Sequence, residues 1–132
     1  MKNINNVIPV KSYFNASEDK AIIYKENKNQ CGIYRWTNKI NNKSYVGSSE
    51  KLNRRLSNYF CLHKPLKGRS HINNAILKYK IYNFSLDILE YCEINIKIER
   101  EQYYLDTYKL IYNILKTAGS SLGYVHNETS LS

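Results

Sequence analysis

The segment from residue 32 to residue 47 constrains the fold most strongly. It consists of Gly-Ile-Tyr, then ten residues, then Tyr-Val-Gly. Cys31–Thr37 and Ser44–Ser48 are rich in strand-forming residues, and the asparagines between them are typical of a turn. We therefore predict a β-hairpin with a four-residue loop at Lys39–Asn42.

The register of this hairpin decides where its tyrosines point. A four-residue loop places Tyr34 opposite Gly47 and Trp36 opposite Tyr45, so that the two tyrosines are diagonal neighbours on one face. A slip of one residue would move them to opposite faces. The four-residue loop predicts the first register, and the meeting of the two phenols depends on it.

The segment that follows the hairpin is predicted to be a helix over Glu50–Phe60. Its apolar stripe consists of Leu52, Leu56, Tyr59 and Phe60. At about 100° per residue, Arg55 falls at the edge of that stripe and Arg54 points well away from it. We expect Arg55 to lie against the sheet and Arg54 to face solvent or a partner.

Glu101 is the most unusual residue of the second half of the chain. There we predict a basic loop over His63–Arg69, a helix over His71–Lys80, a strand over Phe84–Tyr91 and a helix over Ile94–Tyr108. In the last helix Glu101 lies on one face with Ile94, Ile98, Leu105 and Tyr108. A carboxylate in an apolar stripe needs a cation or hydrogen bonds, and unpaired its pKa would rise. Two interpretations stay open: a glutamate paired with an arginine or tyrosine, and a metal ligand.

The charge of the chain favours a polyanionic partner. Its 20 Lys and Arg residues exceed its 11 Asp and Glu residues by nine, and nucleic acid fits this excess better than a membrane surface. The sequence contains neither an apolar run of the roughly 20 residues that span a bilayer nor a secretory signal. The three cysteines, Cys31, Cys61 and Cys92, form no Cys-x-x-Cys pair, so we expect reduced packing residues.

Five motifs occur in the order and approximate spacing of one family: Gly32-Ile33-Tyr34, Tyr45-Val46-Gly47, Arg55, Glu99–Tyr104 and Tyr112–Ile114. Over residues 31–115 the chain resembles a GIY-YIG nuclease domain of the homing-endonuclease type found in mobile group I introns. The resemblance implies a small α/β (α+β) domain with a three-stranded antiparallel sheet flanked by helices. It also implies a DNA endonuclease that hydrolyses phosphodiester bonds with Mg²⁺ or Mn²⁺.

The resemblance also implies the residues of the active site. Carried onto this sequence, they are Tyr34, Tyr45, Arg55, Glu101 and Asn113. Glu101 would be the protein's one metal ligand, which suits a hard cation that keeps much of its water. Arg55 would bind the scissile phosphate, Tyr34 would accept a proton from the attacking water, and Tyr45 would orient the water or the phosphate.

Further residues are expected to contact the DNA backbone: Arg54, Lys64, Lys67, Arg69 and His71. His71 lies near the place where some relatives carry a functional histidine, so it is an alternative general base. Lys80 stands where relatives usually have a helix-ending glycine, and we therefore expect a strained or rearranged turn before Phe84.

The ends of the chain are expected to lie outside the nuclease domain. Residues 1–30 are polar and lysine-rich, and we predict a weakly ordered extension. Residues 116–132 resemble the opening of a modular DNA-binding motif, of which the sequence contains only the start. We therefore expect weak sequence preference, because phosphate contacts position a protein without identifying bases.

Double-stranded DNA is the partner that this reading predicts, for a chain expected to be monomeric. A mitochondrial gene is favoured over a phage or bacterial one, whose product would be cytoplasmic. Two alternatives remain: a splicing assistant that binds intron RNA with an idle nuclease centre, and a repair-type nuclease that uses the same centre.

Overall fold

The computed structural model of the protein describes residues 2–3, 7–61 and 71–109. The strands are β1 (Lys2–Asn3), β2 (Lys11–Tyr13), β3 (Gly32–Asn38), β4 (Ser44–Ser49), β5 (Phe84–Tyr91) and β6 (Tyr108–Lys109). The helices are α1 (Lys20–Glu26), α2 (Leu52–Phe60), α3 (His71–Tyr79) and α4 (Lys97–Thr107), with 3₁₀ turns at Ile81–Asn83 and Ile94–Ile96. None of these helices is long and apolar enough to cross a membrane.

An antiparallel sheet with the strand order β2-β5-β3-β4 forms the centre of the fold. A separate two-stranded pair joins β1 to β6 in parallel. The α+β class and the antiparallel sheet flanked by helices are confirmed. The sheet has four strands, one more than the three that we predicted, because β2 adds itself to the outer side of β5.

The β3–β4 hairpin has the predicted register. Tyr34 pairs with Gly47 and Trp36 pairs with Tyr45. In the loop, the backbone N–H of Asn42 donates to the carbonyl oxygen of Asn38 at 2.7 Å. Asn42 has φ 61°, a left-handed conformation that asparagine tolerates better than most residues. The turn chemistry therefore sets the pairing on which the tyrosines depend.

The polar segment before residue 30 supplies β2 and α1 to the same folded unit. The N–H of Val10 donates to the carbonyl oxygen of Ile88 at 2.8 Å, and β2 continues this pairing along β5. Ile23 of α1 is fully buried in the main core. A three-residue strand and a seven-residue helix are too short to produce a sustained hydrophobic period, so the sequence did not reveal them.

The sheet buries both of its faces. Alternation along β3 places Tyr34 and Trp36 in a core with α1, α2 and α3, whereas Ile33 packs with Tyr104 and Leu105 of α4 on the other face. β4 lies at the edge of the sheet and contacts both α2 and α4. Side chains from the two faces can therefore meet around this edge strand.

The apolar stripe predicted for the last helix is wrong in its first half. Ile94 precedes α4 in a 3₁₀ turn and is 58% exposed, and Ile98 is 43% exposed. Tyr104 and Leu105 are buried against the sheet. The apolar contacts of α4 with the sheet are therefore made by its C-terminal half, and periodicity alone does not show how far along a helix its neighbour extends.

The turn after α3 is strained, as predicted. Lys80 has φ 76° and ψ 138°, a region that side chains other than glycine rarely adopt. The side-chain amide of Asn83 donates to the carbonyl oxygen of Tyr79 at 2.7 Å and closes the turn before β5. The three cysteines are free thiols; Cys61 is exposed and the other two are half-buried.

Candidate active site

Three tyrosine side chains meet beside the edge strand. The hydroxyl groups of Tyr34 and Tyr59 are 2.8 Å apart and hydrogen-bonded. The Tyr34 ring centre lies 6.3 Å from that of Tyr45 and 6.0 Å from that of Tyr59. The Tyr59 hydroxyl also hydrogen-bonds to Tyr45. The hairpin thus supplies two phenols, and α2 supplies the third.

Gly47 leaves the space that this cluster occupies. A Cβ atom at Gly47 would lie 2.6 Å from the Tyr34 hydroxyl oxygen and 2.9 Å from the Tyr45 ring. Real Cβ atoms essentially never come this close, so any other residue would push the two phenols apart. The close packing of Tyr34 and Tyr45 therefore requires a glycine at this position of the Tyr-Val-Gly motif.

Burial keeps these phenols neutral. Tyr34 is 1% exposed, and burial raises its pKa well above the ordinary value of 10, with the neighbouring phenols adding to the rise. Burial also raises the pKa of Tyr45 and of Tyr59. Tyr45 is only half-buried, so it is the phenol of the cluster that lies nearest to solvent.

Arg55 brings a positive charge to the cluster. It is exposed on α2, and its charge lowers the pKa of all three phenols and of Glu101. Arg55 is therefore near both the phenols and the carboxylate, although it is less covered by the sheet than we expected. Arg54 is exposed, as predicted.

Glu101 reaches the same edge from the opposite face of the sheet. The Ser48 hydroxyl of β4 donates to Oε1 of Glu101 at 2.5 Å. Burial raises the pKa of Glu101, while the Ser48 hydrogen bond and the charges of Lys97 and Arg55 lower it. The carboxylate is thus half-buried, and its negative charge raises the pKa of Tyr45 and of Tyr59, so Glu101 lies within electrostatic range of the phenols.

A single-carboxylate metal site fits this arrangement. Within the described ranges, no group of three or more His, Cys, Asp or Glu side chains forms a ready metal cage. There, Ser48 is the hydrogen-bond donor to Oε1 of Glu101, and Oε2 receives no donor. Mg²⁺ commonly binds through one or two carboxylates and keeps several waters, so Glu101 is a suitable donor.

A second carboxylate next to α4 has a different environment. Oε2 of Glu90 accepts from Nε of Arg100 at 2.8 Å, and Oε1 accepts from Arg100 and from the Tyr104 hydroxyl at 2.8 and 2.7 Å. The arginine–tyrosine pairing that we considered for Glu101 therefore belongs to Glu90. We call Glu90, Arg100 and Tyr104 the α4 clamp.

Several predicted site residues lie outside the described residues: Asn113, Lys64, Lys67 and Arg69. His71 begins α3 and is exposed. Sequence reasoning missed Tyr59, which it assigned to the apolar stripe of α2, and Ser48. A tyrosine one helical turn after Arg55 was the available signal, because residues four apart lie on one helix face.

Comparisons with known proteins agree with this geometry. The family model described as "GIY-YIG catalytic domain" matches residues 30–116. From Neurospora crassa, "Probable intron-encoded endonuclease bI1" is 33% identical over 95% of this chain and 29% of its own length. "Probable intron-encoded endonuclease 1" of the same organism is 29% identical over 97% of this chain and 41% of its own length. The chain thus spans less than half of either relative.

A solved structure is also similar. It is the catalytic domain of intron endonuclease I-TevI, in a single-residue mutant form. The similarity has a TM-score of 0.54 and 28% sequence identity, and covers 67% of this chain and 97% of that domain.

Proposed function

The chain belongs to the GIY-YIG catalytic-domain family, and from that premise we propose that it is a metal-dependent endonuclease that hydrolyses phosphodiester bonds of double-stranded DNA. One observation carries the proposal. Three phenols, a guanidinium and a half-buried carboxylate converge on the edge strand β4 from both faces of the sheet. A packing role alone would not require Arg55 and Glu101 to share this edge.

Arg55 would bind the scissile phosphate. Its planar guanidinium remains charged at every physiological pH and can contact two phosphate oxygens at once. Negative charge builds on those oxygens in the transition state, and a fixed cation stabilises that charge more than the ground state. Because Arg55 is exposed, a DNA phosphate can reach it without rearrangement of the core.

Glu101 would hold the divalent metal, Mg²⁺ or Mn²⁺. Such an ion polarises a phosphate oxygen and supplies an acidic water near the leaving 3′ oxygen. The part played by the chain is to keep the carboxylate ionised and aimed. The Ser48 hydrogen bond and the charges of Lys97 and Arg55 lower the pKa of Glu101 against the effect of burial.

The phenols would position the attacking water. Tyr45 is the most accessible of the three and would hydrogen-bond to the water or the phosphate. Tyr34 and Tyr59, which are more deeply buried, would fix the orientation of the Tyr45 side chain. Tyr34 can accept a proton from water only as a phenolate. Its pKa must therefore fall from the present raised value, so that the phenol can ionise. The charge of Arg55 acts in that direction.

We place this activity in an intron-homing enzyme, with residues 31–115 as the main part of the cutting domain and residues 116–132 as a DNA-binding segment. Support comes from two relatives whose names call them probable intron-encoded endonucleases. A mitochondrial location is part of this proposal. The net charge of +9 suits docking on the phosphate backbone of DNA.

A plasmid-nicking assay tests the proposal. The wild-type protein is expected to nick supercoiled plasmid in Mg²⁺ and not in EDTA. Arg55→Ala and Glu101→Ala should each reduce nicking by at least about 1000-fold while nonspecific DNA affinity stays within a few fold, since each removes a transition-state or metal contact. Arg54→Ala should weaken DNA binding slightly and leave the rate at saturating protein unchanged.

Two outcomes contradict the proposal. Absence of nicking by the folded wild-type protein at every protein concentration would rule out the endonuclease activity and favour an RNA-binding role. Full nicking by Glu101→Ala would show that Glu101 is not the metal ligand.

A further inference from the structure

An exposed patch of aromatic and apolar side chains lies at the other end of the sheet from the active site. Phe14 is 77% exposed, Tyr82 is 56% exposed and Ile40 is 60% exposed. They follow β2, precede β5 and occupy the β3–β4 loop, respectively. Burying these rings in the core would stabilise the fold, so their exposure needs an explanation.

Lys39 contacts the Phe14 ring and is hydrogen-bonded to the segment that carries Tyr82. Its Nζ atom lies 4.1 Å from the centre of the Phe14 ring. Its backbone N–H donates to the carbonyl oxygen of Asn83 at 2.9 Å, next to Tyr82 in the chain. On the Phe14 side, the N–H of Ala16 donates to the carbonyl oxygen of Phe84 at 3.2 Å. Backbone hydrogen bonds therefore fix both ring-bearing segments to the end of the sheet.

The charges around the rings are mainly positive. Lys39 contacts Phe14, Lys43 ends the same loop, and Lys80 begins the turn that carries Tyr82; Lys43 and Lys80 are exposed. The nearest acidic residues along the chain are Glu18 and Asp19, which follow Phe14 in the turn before α1, and Asp87, which follows Tyr82 and is buried in an ion pair with Arg35. This combination of rings and lysines favours a partner that is both aromatic and anionic.

Unpaired nucleotides have that chemistry. Single strands present base faces that stack on aromatic side chains, and phosphates that lysines neutralise. A duplex keeps its bases stacked inside and offers no free face to a protein ring. The patch is also within reach of the cut strand, because Lys39 lies five residues along β3 from Tyr34, about 16 Å away.

We propose that Phe14, Tyr82 and Lys39 form a stacking platform for unpaired nucleotides of single-stranded DNA. The choice of DNA rests on the proposed function, since a nick made at the active site would leave a strand end that can unpair from the duplex and reach the platform. The matched family region begins at residue 30, so Phe14 belongs to a segment outside it.

Fluorescence anisotropy with a labelled 20-mer of thymidylate, in EDTA and low salt, tests the platform. Each ring that stacks on a base is expected to contribute roughly tenfold to affinity. The double variant Phe14→Ala/Tyr82→Ala should therefore weaken binding by about 100-fold, and Lys39→Ala by a few fold. Both rings are exposed, so these variants should keep the wild-type melting temperature within a few degrees.

Matched variants separate stacking from general adhesion. Phe14→Leu keeps apolar area without an aromatic face and should bind nearly as weakly as Phe14→Ala, whereas Phe14→Trp should bind as well as the wild type. Ile22→Ala and Lys25→Ala remove an exposed apolar and an exposed basic side chain from α1 and should change affinity less than twofold.

Three results overturn the platform as proposed. One is wild-type affinity in the double variant, and another is wild-type affinity in Phe14→Leu. The third is tighter binding of a uridylate 20-mer than of thymidylate through the same residues, which would make the partner RNA.

Plasmid nicking is measured in parallel. If the wild-type protein does not nick plasmid, the proposed endonuclease activity is wrong. An oligonucleotide affinity that depends on both rings would still support the platform in that case.

Discussion

Two glutamates next to α4 have opposite environments. Glu90, on β5, accepts hydrogen bonds from Arg100 and Tyr104 in the α4 clamp, and the bonds from Arg100 hold its pKa below the ordinary value of 4.5 although burial raises it. Glu101, on α4 itself, accepts one from Ser48, and burial raises its pKa. Both carboxylates are partly buried, but among the residues that the structure describes, only Glu90 of these two accepts a direct hydrogen bond from a cation.

The difference separates a structural acid from a binding acid. A carboxylate whose oxygens already have strong donors gains little from a metal ion, whereas a half-buried carboxylate with one donor gains much. The clamp also anchors α4 to β5, in the turn of helix that carries Glu101. The fold therefore uses one glutamate to hold the helix and leaves the next to hold a ligand.

Isosteric substitution of each glutamate should produce opposite results. Glu101→Gln removes the negative charge that binds metal and should reduce nicking by at least about 1000-fold. It also removes a poorly compensated buried charge and should raise stability by roughly 1 kcal/mol at pH 7. Glu90→Gln should lower stability and reduce nicking less than tenfold. Nicking rates and thermal melting of both variants provide the comparison, and a stability loss in Glu101→Gln would show that its charge is compensated after all.

The pH dependence of stability should depend on Glu90. Its folded-state pKa is lowered, so its stabilisation is fully present above the unfolded pKa and is lost as pH falls through the lowered folded-state pKa. Losing the charge-assisted bonds costs about 2 kcal/mol. Thermal melting at pH 7 and pH 3 should therefore show a smaller acid-induced drop in Glu90→Gln than in the wild type. Equal drops would mean that the clamp contributes nothing through its charge.

The sequence predicted the phenol side of the site better than the carboxylate side. Alternation in β3 and a loop of fixed length determine the register, so the positions of Tyr34 and Tyr45 follow from local rules. Glu101 was singled out because of an apolar stripe that the structure only half contains, and its role as a metal ligand stays a prediction. Which glutamate receives Arg100 depends on how α4 crosses β5, and the periodicity of the helix does not contain that information.

Tyr59 and β2 show a second limit. A tyrosine at an apolar position of a helix has the same pattern whether its hydroxyl is idle or hydrogen-bonded to Tyr34. β2 has three residues and owes its place to backbone pairing with β5, which leaves no hydrophobic period to detect. Both features depend on tertiary contacts rather than on local sequence.

Removing the one donor to Glu101 should weaken metal binding. Ser48→Ala deletes the 2.5 Å hydrogen bond, so the pKa of Glu101 should rise further and less of the carboxylate should be ionised. Loss of such a supporting contact typically costs 10–100-fold in metal affinity, and we expect the Mg²⁺ concentration for half-maximal nicking to rise about tenfold. Ser44→Ala, on the same strand with its hydroxyl on Thr37, is the matched control. An unchanged Mg²⁺ requirement in Ser48→Ala would argue against Glu101 as the ligand.

The smallest effect is expected for Tyr104→Phe, which removes one donor from Glu90 and leaves Arg100 in place. The lost hydrogen bond, 2.7 Å long, should cost about 1 kcal/mol and lower the melting temperature by several degrees. Tyr103→Phe, at an exposed neighbouring position, should change stability by less than about 0.5 kcal/mol. Nicking at saturating Mg²⁺ should stay near wild type in both, because neither hydroxyl touches Glu101. If Tyr104→Phe raised the Mg²⁺ requirement as much as Ser48→Ala, the clamp would also aim Glu101, and the two carboxylates would no longer be functionally separate.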